Sequence, residues 1–358
     1  MKPEISNLRF EIWRRALHAF AVALVIVTFC LVILGGTVTS KEAGLAVPDW
    51  PNTYGHNLFL YPPSLWVGNI FWEHTHRLLG ALVGVMCIVM CVWLWLSQLE
   101  RRWLRWTGVA LLVLVIAQGV MGGLRVTELS VTLAIVHGVM AQLFLCLTVL
   151  IAAAVRHAGQ APRLNGERLR LMRLAFLFFA VLLVQLVLGA VVRHTGAGTA
   201  IPDFPTNLGG MVPPLNQAGI EAAFDRAAPD EDYPMSVYPS VVQVAVQFAH
   251  RAWAAVVLGT GLWLIGRVAR TGNPSLGRPA LALLFSLILQ VALGALVVWH
   301  PRFVDVHTAH QALGAAILAT AALLLIRLRL SDSVTPPMAD RADDRSPHTA
   351  IHWEGGAA

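Results

Sequence analysis

Charge is scarce in this sequence. Only 13% of its 358 residues are Asp, Glu, Lys or Arg, about half the share found in an ordinary soluble protein. Together with 57% apolar residues and a mean hydropathy of +0.66, this argues against a soluble enzyme, a nucleic-acid binder or a disordered scaffold. Cysteine is scarce too. Cys30, Cys87, Cys91 and Cys146 all fall inside apolar stretches, and no CxxC motif exists. An external disulfide is therefore excluded, and the four read as small buried packing residues. Acids are few, 20 against 26 Lys plus Arg, but histidine is plentiful at 13.

The apolar residues fall into eight stretches, each close to the roughly 20 residues that cross a bilayer. They are Ala16–Val38, Ile70–Leu96, Leu104–Leu124, Val131–Ala154, Leu174–Val192, Val241–Leu264, Ala280–Val298 and Val304–Ile326. The first is too long for a signal peptide and lacks a small-residue cleavage site after it, so it counts as a span. Of the 26 basic residues, 19 lie on the side of the termini and 7 on the other. By the positive-inside rule both termini are cytoplasmic, or matrix-side in a mitochondrial membrane; the expected location is a cell's inner (plasma) membrane. The basic excess is a topology signal, and no nucleic-acid partner is implied. The predicted organisation is a cytoplasmic N-terminus (1–15), a first half (16–155), a cytoplasmic linker (156–173), a second half (174–328) and a disordered tail (329–358). Two external loops are long, and the second (193–240) is acidic, with Asp203, Glu221, Asp225, Asp230, Glu231 and Asp232.

The chain is a duplication. Leu34–Gly55 aligns without a gap on Leu188–Gly209, at an offset of 154. After an insertion of 20 residues in the second loop, Glu73-His-Thr-His76-Arg77 falls on Gln247-Phe-Ala-His250-Arg251, Gly122-Gly123-Leu124 on Gly294-Ala295-Leu296, and His137 on His310. Four helices per copy return the chain to its starting side, so the repeats are parallel. The predicted fold is all-α and integral to the membrane: eight transmembrane helices in two pseudo-symmetric four-helix bundles.

Polar residues inside a bilayer are costly and commonly functional. Of the 13 histidines, His76, His137, His250 and His310 sit in spans and pair across the repeat at one depth. Two facing imidazoles in an apolar bundle suit bis-His haem iron, whereas zinc would want three or four ligands. The bland alternative is a set of hydrogen-bonded interfacial histidines. His307 rivals His310 as the ligand; His74, His194 and His300 have no histidine at the matching position. Arg77 and Arg251 follow the paired histidines, where they can meet haem propionates or bond the loop backbone. Glu73 faces the same helical side as His76 and becomes Gln247 in the second half. A carboxylate there can relay protons or stabilise a cationic intermediate, or merely hydrogen-bond near a helix start. The repeated cores 43–51 and 197–205 suit roofs over the two sites, with Asp49 and Asp203 bonding backbone and Trp50 and Phe204 packing at the interface.

Together, the Gly-Gly exit of the first span, the GLAVPDWP loop, Glu73-x-x-His76-Arg77, the isolated His137, Gln247-x-x-His250-Arg251 and the closing His310-Gln311 resemble the haem A synthase family over residues 15–328. The resemblance implies oxidation of the C8 methyl of haem O to a formyl group, giving haem A for terminal oxidases by successive hydroxylations. It implies that His76 and His137 serve the substrate haem, that His250 and His310 ligate a resident haem b, and that Glu73 is the important acid. It also implies a haem O synthase as partner, an electron donor and a possible homo-oligomer. Some bacterial members carry a cysteine pair in the first external loop; this chain resembles the cysteine-less type. The competing readings are a quinol-linked bis-haem electron-transfer cytochrome, which leaves the Glu73/Gln247 difference unexplained, and a transporter or haem-handling assembly factor.

Overall fold

The computed structural model describes residues 2–97, 101–156, 167–227 and 238–330. Among them are nine α-helices: α1 (Lys2–Ser40), α2 (Gly68–Leu96), α3 (Arg102–Thr127), α4 (Val131–Arg156), α5 (Arg168–His194), α6 (Gln217–Ala227), α7 (Val241–Ala269), α8 (Pro274–Trp299) and α9 (Val304–Arg329). All but α6 contain a segment long and apolar enough to cross a membrane. A backbone in hydrocarbon must satisfy its own N–H and C=O groups, which a helix does within one segment. Two helix starts carry side-chain caps. Ser240 and Gln243 form a reciprocal capping box on α7, and the Asn273 side chain accepts from Ser275 N–H at 2.9 Å ahead of Pro274 on α8.

Every predicted span lies within one of these helices, and most helices run a turn or two further into polar sequence. The linker predicted over 156–173 is shorter than expected, because α5 already begins at Arg168. Hydropathy marks only the hydrocarbon part of a helix, and i→i−4 pairing continues through the basic interfacial turn. Residues 157–166 of that linker, the acids Asp230, Glu231 and Asp232, and the predicted tail from residue 331 onward lie outside the described residues. The cysteine expectation holds in part. Cys87 and Cys91 are buried, but Cys30 is exposed on the outer face of α1. A face turned toward lipid is as apolar as a core, so apolar context alone does not imply burial in protein.

Each half closes on itself. In the first, α1 packs on α2, α2 on α3, α3 on α4 and α4 on α1; in the second, α5 on α7, α7 on α8, α8 on α9 and α9 on α5. The first core centres on Leu24, Val83, Met90, Leu111 and Ile151, the second on Phe178, Leu264, Leu283 and Leu318. The halves meet where α1 and α4 touch α9 and where α4 touches α5, around Val32, Leu145 and Ala315. At the loop end Arg193 ties them together: it donates to Gln311 Oε1 at 3.0 Å, to the Gly36 carbonyl at 2.8 Å and to Ser40 Oγ. Outward-facing Val113, Ile116, Phe285 and Ile288 leave a broad apolar surface, which suits lipid and would drive association in water.

The duplication is visible in loop geometry. Asp49 accepts from Tyr54 and Gly55 N–H, both at 2.8 Å, and Asp203 accepts from Leu208 and Gly209 N–H at 2.7 and 2.8 Å. Burial alone would raise the Asp49 carboxyl, but the Gly55 and Tyr54 N–H groups and the Arg77 charge hold it below the ordinary carboxylate range. Asp203 is lowered in the same way, with Thr206, Gly209 and Leu208 overcoming burial. The turn closes at Gly55 and Gly209, with φ of 76° and 80°, where a side chain is disfavoured. A Cβ on Gly123 would lie 2.2 Å from the Trp50 ring, so the loop tryptophan rests directly on the α3 backbone. The second half carries the smaller Phe204 and the larger Ala295 at these two positions. The same loop docks with the volume shifted from one partner to the other. Sequence reading missed α6, whose Ile220, Ala223 and Phe224 pack on Ile201, Leu208 and Val244 over the second half.

Candidate functional site

His76, His137, His250 and His310 stand on α2, α4, α7 and α9, within about three turns of the loop end of each helix. Each ring lies against a glycine of a neighbouring helix. A Cβ built on Gly35, Gly122, Gly189 or Gly294 would come 3.0, 3.1, 3.1 or 3.3 Å from Cε1 of His76, His137, His250 or His310 respectively. Small residues permit this close approach between membrane helices. The pairs form within halves: His76 is within electrostatic reach of His137, and His310 of His250.

In all four rings Nδ1 is buried without a hydrogen-bond partner. Leaving one buried polar atom unpaired costs about 1–3 kcal/mol. Four such atoms, matched across a duplication, fit a group that takes a nitrogen from each of two facing rings. Among the described residues, no three of His, Cys, Asp and Glu group as ligands for a bare metal ion. Haem, which needs two axial nitrogens and an apolar surround, fits this donor set.

His307 is turned to the loop instead, its Nε2–H donating to the Pro301 carbonyl oxygen at 3.0 Å. His74 is buried between the Tyr61 and Trp66 rings with Nδ1 3.2 Å from Thr53 Oγ1, and its Nε2 has no partner. His74 has no histidine counterpart in the second half, where Phe248 stands.

Glu73 is 3% exposed, and its two carboxylate oxygens accept from Val47 N–H at 2.8 Å and Arg77 Nη2 at 2.7 Å. Gln247 occupies the matching place: its Oε1 accepts from Ile201 N–H at 2.6 Å and its Nε2 donates to the Gly198 carbonyl at 2.8 Å. Both side chains anchor the loop above their bundle, and the neutral one does so as well as the charged one.

The two arginines are held by the same loops. Arg77 donates to the carbonyls of Asp49 (2.7 Å), Asn52 (2.9 Å) and Val47 (2.8 Å) and to Glu73. Arg251 donates to the carbonyls of Asp203 (2.7 Å), Thr206 (3.2 Å) and Ile201 (2.8 Å). Of the two roles the sequence left open for them, loop bonding is the one present in the geometry.

Two features escaped the sequence reading. Arg125, in the last turn of α3, makes no side-chain hydrogen bond or ion pair among the described residues. Its guanidinium abuts Gly44 and lies within electrostatic reach of Glu73, His76 and His137. Its repeat counterpart is Val297, so the first site alone carries it. The signal was available as a mismatch between the repeats. The second feature is a set of glutamines, Gln118, Gln185 and Gln290, each four residues before a cradle glycine.

Compared with known proteins, residues 18–322 match the model of the cytochrome oxidase assembly protein family COX15-CtaA. The chain belongs to this family. Similar relatives are haem A synthases by name. That of Rhodopseudomonas palustris strain BisB5 is 28% identical over 345 residues, covering 86% of this chain and 89% of the relative. That of Beijerinckia indica is 28% identical over 319 residues, covering 79% and 84%, and that of Rhodospirillum centenum 28% over 346 residues, covering 87% of each. The eight spans make this COX15-CtaA member a multi-pass membrane protein.

Proposed function

We propose that this protein is a haem A synthase, an oxidoreductase converting haem O to haem A by oxidation of the C8 methyl to a formyl group. The observation that carries the reading is the duplicated histidine pair with four buried, partnerless ring nitrogens; the relatives' name supplies the reaction. His76 and His137 would hold the substrate haem, and His250 and His310 a resident haem b. His310 is preferred to His307, whose ring is bonded to Pro301. When bound, the haem iron supplies the oxidative chemistry. The chain's own residues orient and enclose. The glycines admit the rings, the Asp49 and Asp203 turns with Arg77 and Arg251 brace the roofs, and those roofs restrict water. Glu73 is the candidate for holding or moving a proton at the first site, since anchoring the loop needs no carboxylate, as Gln247 demonstrates. The loop end would face outward and both termini the cytoplasm, in the inner membrane. A haem O synthase as supplier and an unidentified electron donor complete the proposal.

Extracting pigment from the protein expressed with a haem O source tests this. Haem A or hydroxylated haem O is the expected product. Haem b alone, at two per chain, would point to the electron-transfer cytochrome instead.

At the first site we assign recognition of the anionic propionates to Arg125, whose guanidinium makes no hydrogen bond among the described residues and lies within electrostatic reach of Glu73. An Arg125→Met variant is expected to weaken haem O binding about tenfold or more, the range for losing a hydrogen bond to a charged group. Titration of the purified protein with haem O measures it. Unchanged affinity would return the role to Arg77.

A further inference from the structure

Three of the four ring-bearing helices are gripped by an amide from the helix that carries the cradle glycine. Gln185 Nε2 on α5 donates to the His250 main-chain carbonyl at 3.1 Å and lies 3.4 Å from His250 Nε2. Gln290 on α8 repeats this on His310, at 3.0 and 3.3 Å. Gln118 on α3 donates to the His137 carbonyl at 3.4 Å. The sequence behind these contacts is one pattern: Gln118-x-x-x-Gly122, Gln185-x-x-x-Gly189 and Gln290-x-x-x-Gly294. Four residues is one helical turn, so the amide and the glycine face the same neighbour.

The fourth copy departs from the pattern. The gap-free offset of 154 places Leu31 at the position of Gln185, and α1 reads Leu31-x-x-x-Gly35. Leu31 packs with the apolar core of the first half and offers no donor. His76 keeps its glycine seat, but among the described residues no amide holds its turn of helix. The second site is thus clamped on both sides and the first on one.

We propose that Gln118, Gln185 and Gln290 are positioning residues that fix their imidazoles, and that Leu31 leaves His76 as the ligand that disengages. On this account the first site releases its haem on the His76 side, as a site handling a substrate and a product must, while the second retains its haem. The inference rests on the two haem sites proposed above and adds which ligand lets go.

The test is haem transfer from the purified full-length protein to excess apomyoglobin, followed optically. Wild type is expected to lose haem in two phases, one fast and one slow. Gln185→Leu and Gln290→Leu should each speed the slow phase about fivefold, as expected for one lost hydrogen bond, and leave the fast phase unchanged. Leu31→Gln, which adds the missing amide, should slow the fast phase by a similar factor. The paired gain and loss keep the test informative even if one variant folds poorly. A single phase in wild type, or variants that leave both rates unchanged or move the opposite phase, overturns the proposal. A wild-type preparation that binds no haem would instead overturn the haem-site reading itself.

Discussion

Glu73→Gln is expected to leave a folded, haem-loaded protein that makes haem A about 10²–10⁴-fold more slowly. The fold already contains the control for this substitution. Gln247, at the repeat-matched position, accepts the Ile201 N–H and donates to the Gly198 carbonyl. A glutamine at 73 can make the matching bonds to Val47 N–H and the Gly44 carbonyl. It loses only the charge and the ion pair to Arg77 (2.7 Å), and Arg77 keeps its three carbonyl partners. Anchoring should survive, so a large loss of turnover would report the carboxylate's chemistry. A group moving a proton in the rate-limiting step contributes typically 10²–10⁴-fold, and a loss of that size is expected. Haem A formed per haem bound, measured by chromatography of extracted pigment, is the readout. Near-wild-type turnover would reduce Glu73 to a loop anchor. Gln247→Glu in the second half is expected to change turnover little.

Much of this architecture is legible in the sequence, for physical reasons. Spans are set by one variable, the length of apolar sequence, and the eight helices start or end within a few residues of polar interfaces. The repeat register came from the 22 gap-free residues of Leu34–Gly55 against Leu188–Gly209, and the matching turns at Asp49 and Asp203 follow from it. The four histidines stood out because a polar ring in hydrocarbon is costly wherever it occurs. What stayed hidden depends on side-chain direction across elements distant in sequence. Nothing near Arg77 says that its donors turn to carbonyls 25 to 30 residues earlier. A lone glutamine in an apolar run has no period to betray it, so Gln185 gains meaning only when its contact with His250 is seen. Arg125 was overlooked because repeats are compared for what they share. The differences proved more informative: Glu73 and Arg125 together become Gln247 and Val297. The first site gains one negative and one positive charge, keeping its net charge while adding two groups that can act on a ligand.

Removing a clamped histidine from either half should empty that half alone. His137→Ala takes away the first-site ring seated on Gly122 and held by Gln118, and His250→Ala takes away the second-site ring seated on Gly189 and held by Gln185. Each deletion removes one of the two ring nitrogens that would hold the haem proposed for that half. The two larger cores are separate and each bundle closes on itself, although α4 also packs on α9, so damage in one half should affect its own pair more than the other. His137→Ala is therefore expected to retain the resident haem b and to lose the haem O-derived pigment. His250→Ala should lose the haem b. Haem per chain should fall from two to one in each case, with complementary pigments remaining. Haem A formation should stop in His137→Ala, whose reacting site is lost. Pyridine haemochrome stoichiometry with electron paramagnetic resonance of the remaining low-spin centre distinguishes them. If both variants lost the same pigment, the two histidine pairs would serve one haem, and the division of labour between the halves would be wrong. If both retained two haems, the ligands would lie elsewhere, with His74 and its partnerless Nε2 the first place to look.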